Sequence, residues 1–263
     1  MLETRELGIR FGGHVAVDKV SCVFEPGTLT AIVGPNGAGK TTFFNLISGQ
    51  LRATHGSVLL DGVDLTRLPA SSRTKRGLGR AFQLTQLFPK LSVLENVRLA
   101  VQARSGQGGN FWSVWLDHRD TLQRAHELVE QVRLGSRADA PASSLPHGDQ
   151  RKLEVAMLMA LEPKVFMFDE PTAGMSVDEV PVILDLIRGL KPRRDSVVLL
   201  VEHKMDVVRE LADRIVVLHN GRLVADGLPE EVIASKVVRE AYLGVIDASG
   251  AAVVDTASMQ DRA

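Results

Sequence analysis

The run Gly34-Pro35-Asn36-Gly37-Ala38-Gly39-Lys40-Thr41-Thr42 has the residue types and spacing of a phosphate cradle, G-x-x-x-x-G-K-[ST]. Its glycines let the backbone turn tightly and aim successive N–H groups inward, and a helix starting at the lysine adds the positive end of its dipole. Lys40 then reaches the β- and γ-phosphates as a mobile point charge. The Thr41 hydroxyl is placed to ligate a Mg2+ ion bound to the same oxygens. The alternative is a glycine-rich strand-to-helix turn that binds nothing. The flanks favour the cradle: Leu29 to Val33 is apolar and strand-like, and Phe43 to Ile47 suits a helix.

A second group of polar residues sits at the ends of apolar runs. Val165 to Phe168 is followed by Asp169 and Glu170, and a strand end beside a phosphate cradle is where a magnesium-binding aspartate belongs. Asp169 is therefore the metal candidate, acting through water, and Glu170 the candidate acceptor of a proton from the attacking water. Two acids in a solvated turn are the structural alternative. Val197 to Val201 ends in Glu202-His203, so His203 is a candidate to meet the γ-phosphate or that water. Gln83, after the apolar stretch Leu78 to Phe82, is a further candidate metal ligand. Alone, His203 reads equally as a surface residue and Gln83 as unremarkable; the order of the five elements carries the argument.

The elements that must hold these groups are legible from periodicity. Short strands are expected around Leu7 to Arg10 and Val20 to Phe24, with turns at Gly12-Gly13 and Pro26-Gly27, and another strand at Ser57 to Leu60 closed by Asp61-Gly62. Leu122, Ala125, Val129 and Val132 recur at helical spacing. Beyond Leu153 the chain alternates buried strand and helix: Val165 to Phe168, Val177 to Ile187, Val197 to Val201, Met205 to Leu211 and Ile215 to Leu218. That alternation predicts an α/β fold with a mainly parallel sheet covered by helices on both faces. Asn220-Gly221 marks a type I′ hairpin. Between Gln102 and His118, the segment Phe111 to Trp115 holds both tryptophans, which either cover the helical region's own apolar surface or form a docking loop.

With 263 residues and no proline- or serine-rich linker in its middle, the chain is expected to be one domain with subdomains. Its 31 basic and 32 acidic residues leave a net charge of −1, which provides no general attraction for nucleic acid. The apolar runs are far shorter than the ~20 residues of a membrane-spanning helix. The start, Met1-Leu-Glu-Thr-Arg-Glu, lacks the features of a secretory signal, and a single cysteine, Cys22, suits a reducing cytosol.

Taken together, these motifs resemble the nucleotide-binding subunits of ABC transporters, over nearly everything from Leu2 to about Gly244. Gly34 to Thr42 is similar to the Walker A loop, Gln83 to the glutamine-loop residue, and Leu145 to Glu154, including Gly148, to the signature motif. Val165 to Glu170 is similar to Walker B with the catalytic glutamate, His203 to the switch histidine, and Phe11 stands where the family places a ring against adenine. Within the family, Arg10 to Gly13, Gln83 to Phe88 and Asp169 to Gly174 resemble the branched-chain amino acid uptake group; importers of urea, amides or aromatic acids have related ATPases.

The resemblance implies a P-loop NTPase core with a mainly parallel sheet, an antiparallel β subdomain and an α-helical subdomain. Residues 1–246 would form the ATP-binding domain, about 84–160 the helical subdomain, and 247–263 a loose tail. It implies ATP and Mg2+, with catalytic Glu170 and His203. Phe11, Gly34, Pro35, Asn36, Gly37, Ala38, Gly39, Lys40, Thr41, Thr42, Gln83 and Gly148 would contact nucleotide, and Thr41, Gln83 and Asp169 the metal. The implied partners are a second nucleotide-binding subunit, a paralogue or a copy, joined head to tail; integral membrane permease subunits; and, indirectly, a periplasmic solute-binding protein. No nucleic acid is implied, and the place is the cytoplasmic face of a bacterial inner membrane. Two positions depart from the family pattern: Pro146 replaces a serine, and Ser176 an aspartate or asparagine. A soluble ABC-type protein acting on ribosomes or DNA would need paired nucleotide domains or long coiled-coil inserts. A small-molecule kinase leaves the signature segment and His203 unexplained.

Overall fold

The structure, a computed structural model, describes residues 1–81, 87–104, 118–191, 195–236 and 238. Gln83, the segment Phe111 to Trp115 and the tail from residue 247 therefore lie outside the described residues. The chain opens with a hairpin of β1 (Leu2–Phe11) and β2 (His14–Phe24), turning at Gly12, whose φ of 56° suits a residue without a Cβ. Both strands run longer than local alternation suggests, because β1 pairs on its other side with β4 (His55–Leu60). Between them in sequence come β3 (Leu29–Val33) and α1 (Lys40–Ser48). With β5 (Val63–Asp64), the antiparallel sheet has the order β2-β1-β4-β5.

A second sheet carries the site. After α2 (Ala70–Lys75) and β6 (Leu78–Ala81), the chain makes three helices, α3 (Val93–Arg104), α4 (His118–Gln131) and α5 (His147–Leu161), before β7 (Val165–Asp169). The remainder alternates: α6 (Val180–Arg188), β8 (Val197–Val201), α7 (Met205–Leu211), then β9 (Arg214–His219), β10 (Arg222–Gly227) and α8 (Pro229–Ala234). The sheet order is β10-β9-β3-β8-β7-β6, parallel throughout except for β10 on β9. Asn220 and Gly221 make the β9–β10 turn with φ of 48° and 75°, as a type I′ turn requires.

β8 is apolar throughout, and β3 and β7 nearly so, because both faces are covered. Val165 and Met167 of β7, with Val197, Leu199 and Val201 of β8, pack with Phe43, Phe44 and the antiparallel sheet. Phe166, Phe168, Val198 and Leu200 point the other way, into the layer of α3 to α7. In α4, Ala125, Leu128 and Val129 are fully buried, as is Val132 just beyond it, whereas Leu122 is 39% exposed at the outer edge of the stripe. Two buried polar side chains hold the connections. Arg73 donates to the carbonyls of Leu46 and Ile47 at the end of α1, both at 2.7 Å, a cation where a helix C-terminus wants one. Asn96 accepts from Phe88 N and donates to Phe88 O, tying the segment before α3 to the helix. Cys22, on β2, is buried, and burial pushes its thiol up to about 12.

Candidate nucleotide site

Three neighbouring parallel strands end together and release the site residues from one edge. In the order β3-β8-β7, Ile32 pairs with Val201 and Val201 with Asp169. The phosphate cradle after β3, Glu202-His203 after β8 and Asp169-Glu170 at the end of β7 are thus adjacent, the arrangement expected of a ligand crevice at strand carboxyl ends. Gly34, Gly37 and Gly39 have φ of 151°, 78° and 95°. A Cβ on Gly34 would collide with Leu218 O, and one on Gly39 would lie 2.5 Å from Ala16 O, so the cradle is seated between β2 and the β9–β10 turn. Around Gly37 the space is open, on the side where a ligand must come. Asn36, Gly37 and Thr41 are exposed, Pro35, Gly39 and Thr42 half-buried, and Ala38 buried.

Lys40 is buried, and its Nζ donates to Gly34 O (2.6 Å) and Pro35 O (3.0 Å). Burial holds its pKa below the ordinary lysine value, while Glu170 and Asp169 pull it back up, which places the ammonium near both carboxylates. Asp169 Oδ2 accepts from Arg80 Nη2 at 2.7 Å, both side chains nearly buried. Glu170 has φ of 50°, a strained value for a residue with a Cβ, fixed by its N–H donating to Val201 O (2.9 Å). Its Oε1 lies 3.7 Å from His203 Nδ1, with both side chains about half exposed. That separation is longer than a direct hydrogen bond.

Behind this pair sits Glu202, fully buried, which accepts from Thr172 Oγ1 (2.6 Å) and from the backbone N–H groups of His203 (3.0 Å) and Lys204 (3.3 Å). It welds the turn after β7 to the end of β8. Sequence reasoning named Glu202 only as a neighbour and passed over Arg80. The available signal was a lone arginine inside the apolar stretch Leu78 to Phe82, which is either an edge residue or one with a buried acid to meet.

Phe11 closes β1 with its ring 49% exposed, free to be covered by a flat ligand. Gly148, in the first turn of α5, is buried, and a Cβ there would collide with the Glu179 carboxylate. That carboxylate also accepts from Ser176 N (3.2 Å) and Oγ (2.9 Å), which closes the turn before α6. Pro146 is the N-cap of α5 with no side-chain bond to its first turn. Beside Arg80, a cavity of about 380 Å³ opens between β6, α2 and α5, walled by Gly79, Thr74, Met157, Leu158 and Glu154. Burial raises the Glu154 carboxyl above the usual range against the opposing pull of Arg151, and its Oε1 has no hydrogen-bond partner among the described residues.

Among the described residues no helix is long and apolar enough to cross a membrane, and no group of three or more His, Cys, Asp or Glu is gathered to hold a metal. The family pattern described as ABC transporter matches residues 17–173. The chain is 36% identical over 249 residues to the high-affinity branched-chain amino acid transport ATP-binding protein LivG of Escherichia coli (strain K12), covering 93% of this chain and 98% of that protein. It is 32% identical to the lipopolysaccharide export system ATP-binding protein LptB of the same organism, over 92% and 97% of the two chains. Among solved structures, the ADP conformation of the ATP-binding cassette MJ1267 superposes with a TM-score of 0.78 at 28% identity, covering 93% of this chain and 98% of that one.

Proposed function

The chain belongs to the ABC transporter ATP-binding family, and from that membership and the site just described we propose that it is the ATP-hydrolysing subunit of an importer for branched-chain or related amino acids. The observation that carries this reading is the convergence of the cradle, Asp169-Glu170 and His203 at the ends of three adjacent strands. The solute is not read by any residue described here. Its identity rests on relatives named for branched-chain amino acid transport in bacteria and in Archaeoglobus fulgidus, each 36% identical.

In the reaction, Lys40 exchanges the carbonyls of Gly34 and Pro35 for phosphate oxygens, and backbone N–H groups at the start of α1 offer further donors. Phe11 offers its exposed ring to the adenine. Glu170 takes a proton from the attacking water, and His203, 3.7 Å away, orients that water or the γ-phosphate. Mg2+, when bound, would be held from Thr41 and Asp169 and would supply positive charge against the phosphates. The donors present fit it: the Thr41 hydroxyl and the Asp169 carboxylate are oxygen groups, and among the described residues no group of three or more His, Cys, Asp or Glu is gathered as a fuller cage, which suits a cation that keeps several waters. Gln83 is kept as a third candidate.

Residues 1–246 are taken as the ATP-binding domain, with about 84–160 as its helical part, working as one half of a head-to-tail pair with a copy or a paralogue. Support comes from a dimeric post-hydrolysis cassette, MJ0796 bound to ADP and Pi, at 25% identity and a TM-score of 0.74, and from Val177, an apolar side chain 87% exposed after Ser176. In that pair the Gly148 end of α5 faces the other subunit's nucleotide. A permease at the inner membrane's cytoplasmic face is the partner that would use the energy, with the cavity beside Arg80 as one place for it to seat a segment and a periplasmic solute-binding protein delivering cargo. Glu170→Gln tests the core of the reading. Hydrolysis should fall about 10²- to 10⁴-fold while ATP binding survives, and ATP should then hold a dimer on gel filtration. Full turnover by the glutamine variant would remove Glu170 from the mechanism.

A further inference from the structure

Thr41 and Asp169, the two groups assigned to the metal side of ATP, come from different elements, one from the first turn of α1 and the other from the end of β7. Helical spacing puts Thr41, Asn45 and Ser48 on one stripe of α1, at i, i+4 and i+7. The Arg80 guanidinium lies along that stripe. Its Nη1 donates to Asn45 Oδ1 (2.7 Å), Ser48 Oγ (2.9 Å) and Gln50 Oε1 (3.1 Å), and Nη2 to Asp169 Oδ2 (2.7 Å). The guanidinium carbon also sits 5.2 Å from the centre of the Phe44 ring, again on α1. The Arg80 and Asp169 side chains are only 8% and 10% exposed, so water does little to loosen the pair.

We propose that Arg80 is a positioning residue that sets the spacing between Thr41 and Asp169, and thereby the affinity of the ATP site for its divalent cation. A planar fork is suited to this because it bonds α1 with one nitrogen and the carboxylate with the other. Lysine would keep the charge and reach only one of the two sides. A neutral residue would keep neither, and would leave Asp169 buried without its cation. If Arg80 acted only as a counter-charge that Mg2+ must displace, its removal would strengthen metal binding. The two accounts therefore predict opposite signs.

The inference rests on the reading of Asp169 as a metal-side group, and the test separates the two. Binding of a fluorescent ATP analogue is measured at equilibrium as Mg2+ is titrated, and again in EDTA, for the wild-type chain, Arg80→Lys, Arg80→Gln, Asn45→Ala and Asp169→Asn. Both Arg80 variants should raise the Mg2+ concentration for half-maximal effect by about ten- to a hundredfold, with affinity in EDTA held within about twofold. Asn45→Ala, which spares the Arg80–Asp169 pair and cuts part of its anchor on α1, should shift the requirement the same way by a smaller factor. It also serves if a buried Arg80 variant fails to fold. Wild-type metal dependence in Arg80→Lys, a lower Mg2+ requirement in Arg80→Gln, or no shift in Asn45→Ala would each overturn the spacing role while Asp169→Asn still shifts. If Asp169→Asn leaves the metal dependence unchanged, the assignment of Asp169 falls, and this inference with it.

Discussion

Lys40 is bonded to the loop it must serve, at 2.6 and 3.0 Å from the carbonyls of Gly34 and Pro35. Binding ATP is thus an exchange of acceptors, neutral for charged, and the gain is the difference between the two kinds of bond. Lys40→Ala should lower ATP affinity roughly ten- to a hundredfold, from the loss of about 1.5 to 3 kcal/mol of charge-assisted contact, as calorimetry would read. Unchanged affinity would show that the cradle is not the site. At Pro146 the backbone already has the extended ψ of 159° that an N-cap uses, yet the residue offers no hydroxyl and no N–H. Pro146→Ser should therefore raise ATP turnover in the assembled complex and leave the isolated subunit's affinity unchanged. Equal or lower turnover in steady-state assays would mean that Gly148 and the helix terminus suffice.

The elements that carry the site were legible because each is short, apolar and bounded by turn residues. Val165 to Phe168 and Val197 to Val201 became β7 and β8, and the cradle's flanks became β3 and α1. What local pattern did not reveal came from pairing across the chain. The polar residues Glu3, Arg5 and Glu6 hide the length of β1, which is stabilised from both sides by β2 and β4. The segment read as starting at Val177 begins its helix at Val180, because residues 176–179 first form a turn closed by Ser176 and Glu179. Arg80 was missed for the same reason: its acceptors lie 30 to 89 residues away in sequence. Its neighbour Gly79 shows how tightly β6 is seated, since an added Cβ would lie 2.5 Å from Leu158 Cδ1 and 2.6 Å from Pro163 Cγ. Leu158 can turn aside and the proline ring cannot. Gly79→Ala should destabilise the fold by about 1 to 3 kcal/mol through overpacking, read from the urea midpoint; a midpoint equal to wild type would show that α5 yields without cost.

At the scale of the molecule, two sheets meet over α1 and share its aromatic face, and Arg214 links them by pairing with Asp226 of β10 and donating to Val23 O of β2. Cys22 lies in this seam, 4% exposed and with its thiol pushed up to about 12, so almost none of it is thiolate at neutral pH. The native chain should take up a maleimide at neutral pH only slowly, and promptly once unfolded in urea; rapid labelling of the folded chain would contradict the burial. The practical yield is a background already silent to thiol reagents, with no cysteine to remove. A single cysteine placed at Val177, which stands 87% exposed, would carry a probe by itself, so a distance ruler or a crosslinker could watch two subunits approach and part through a turnover cycle.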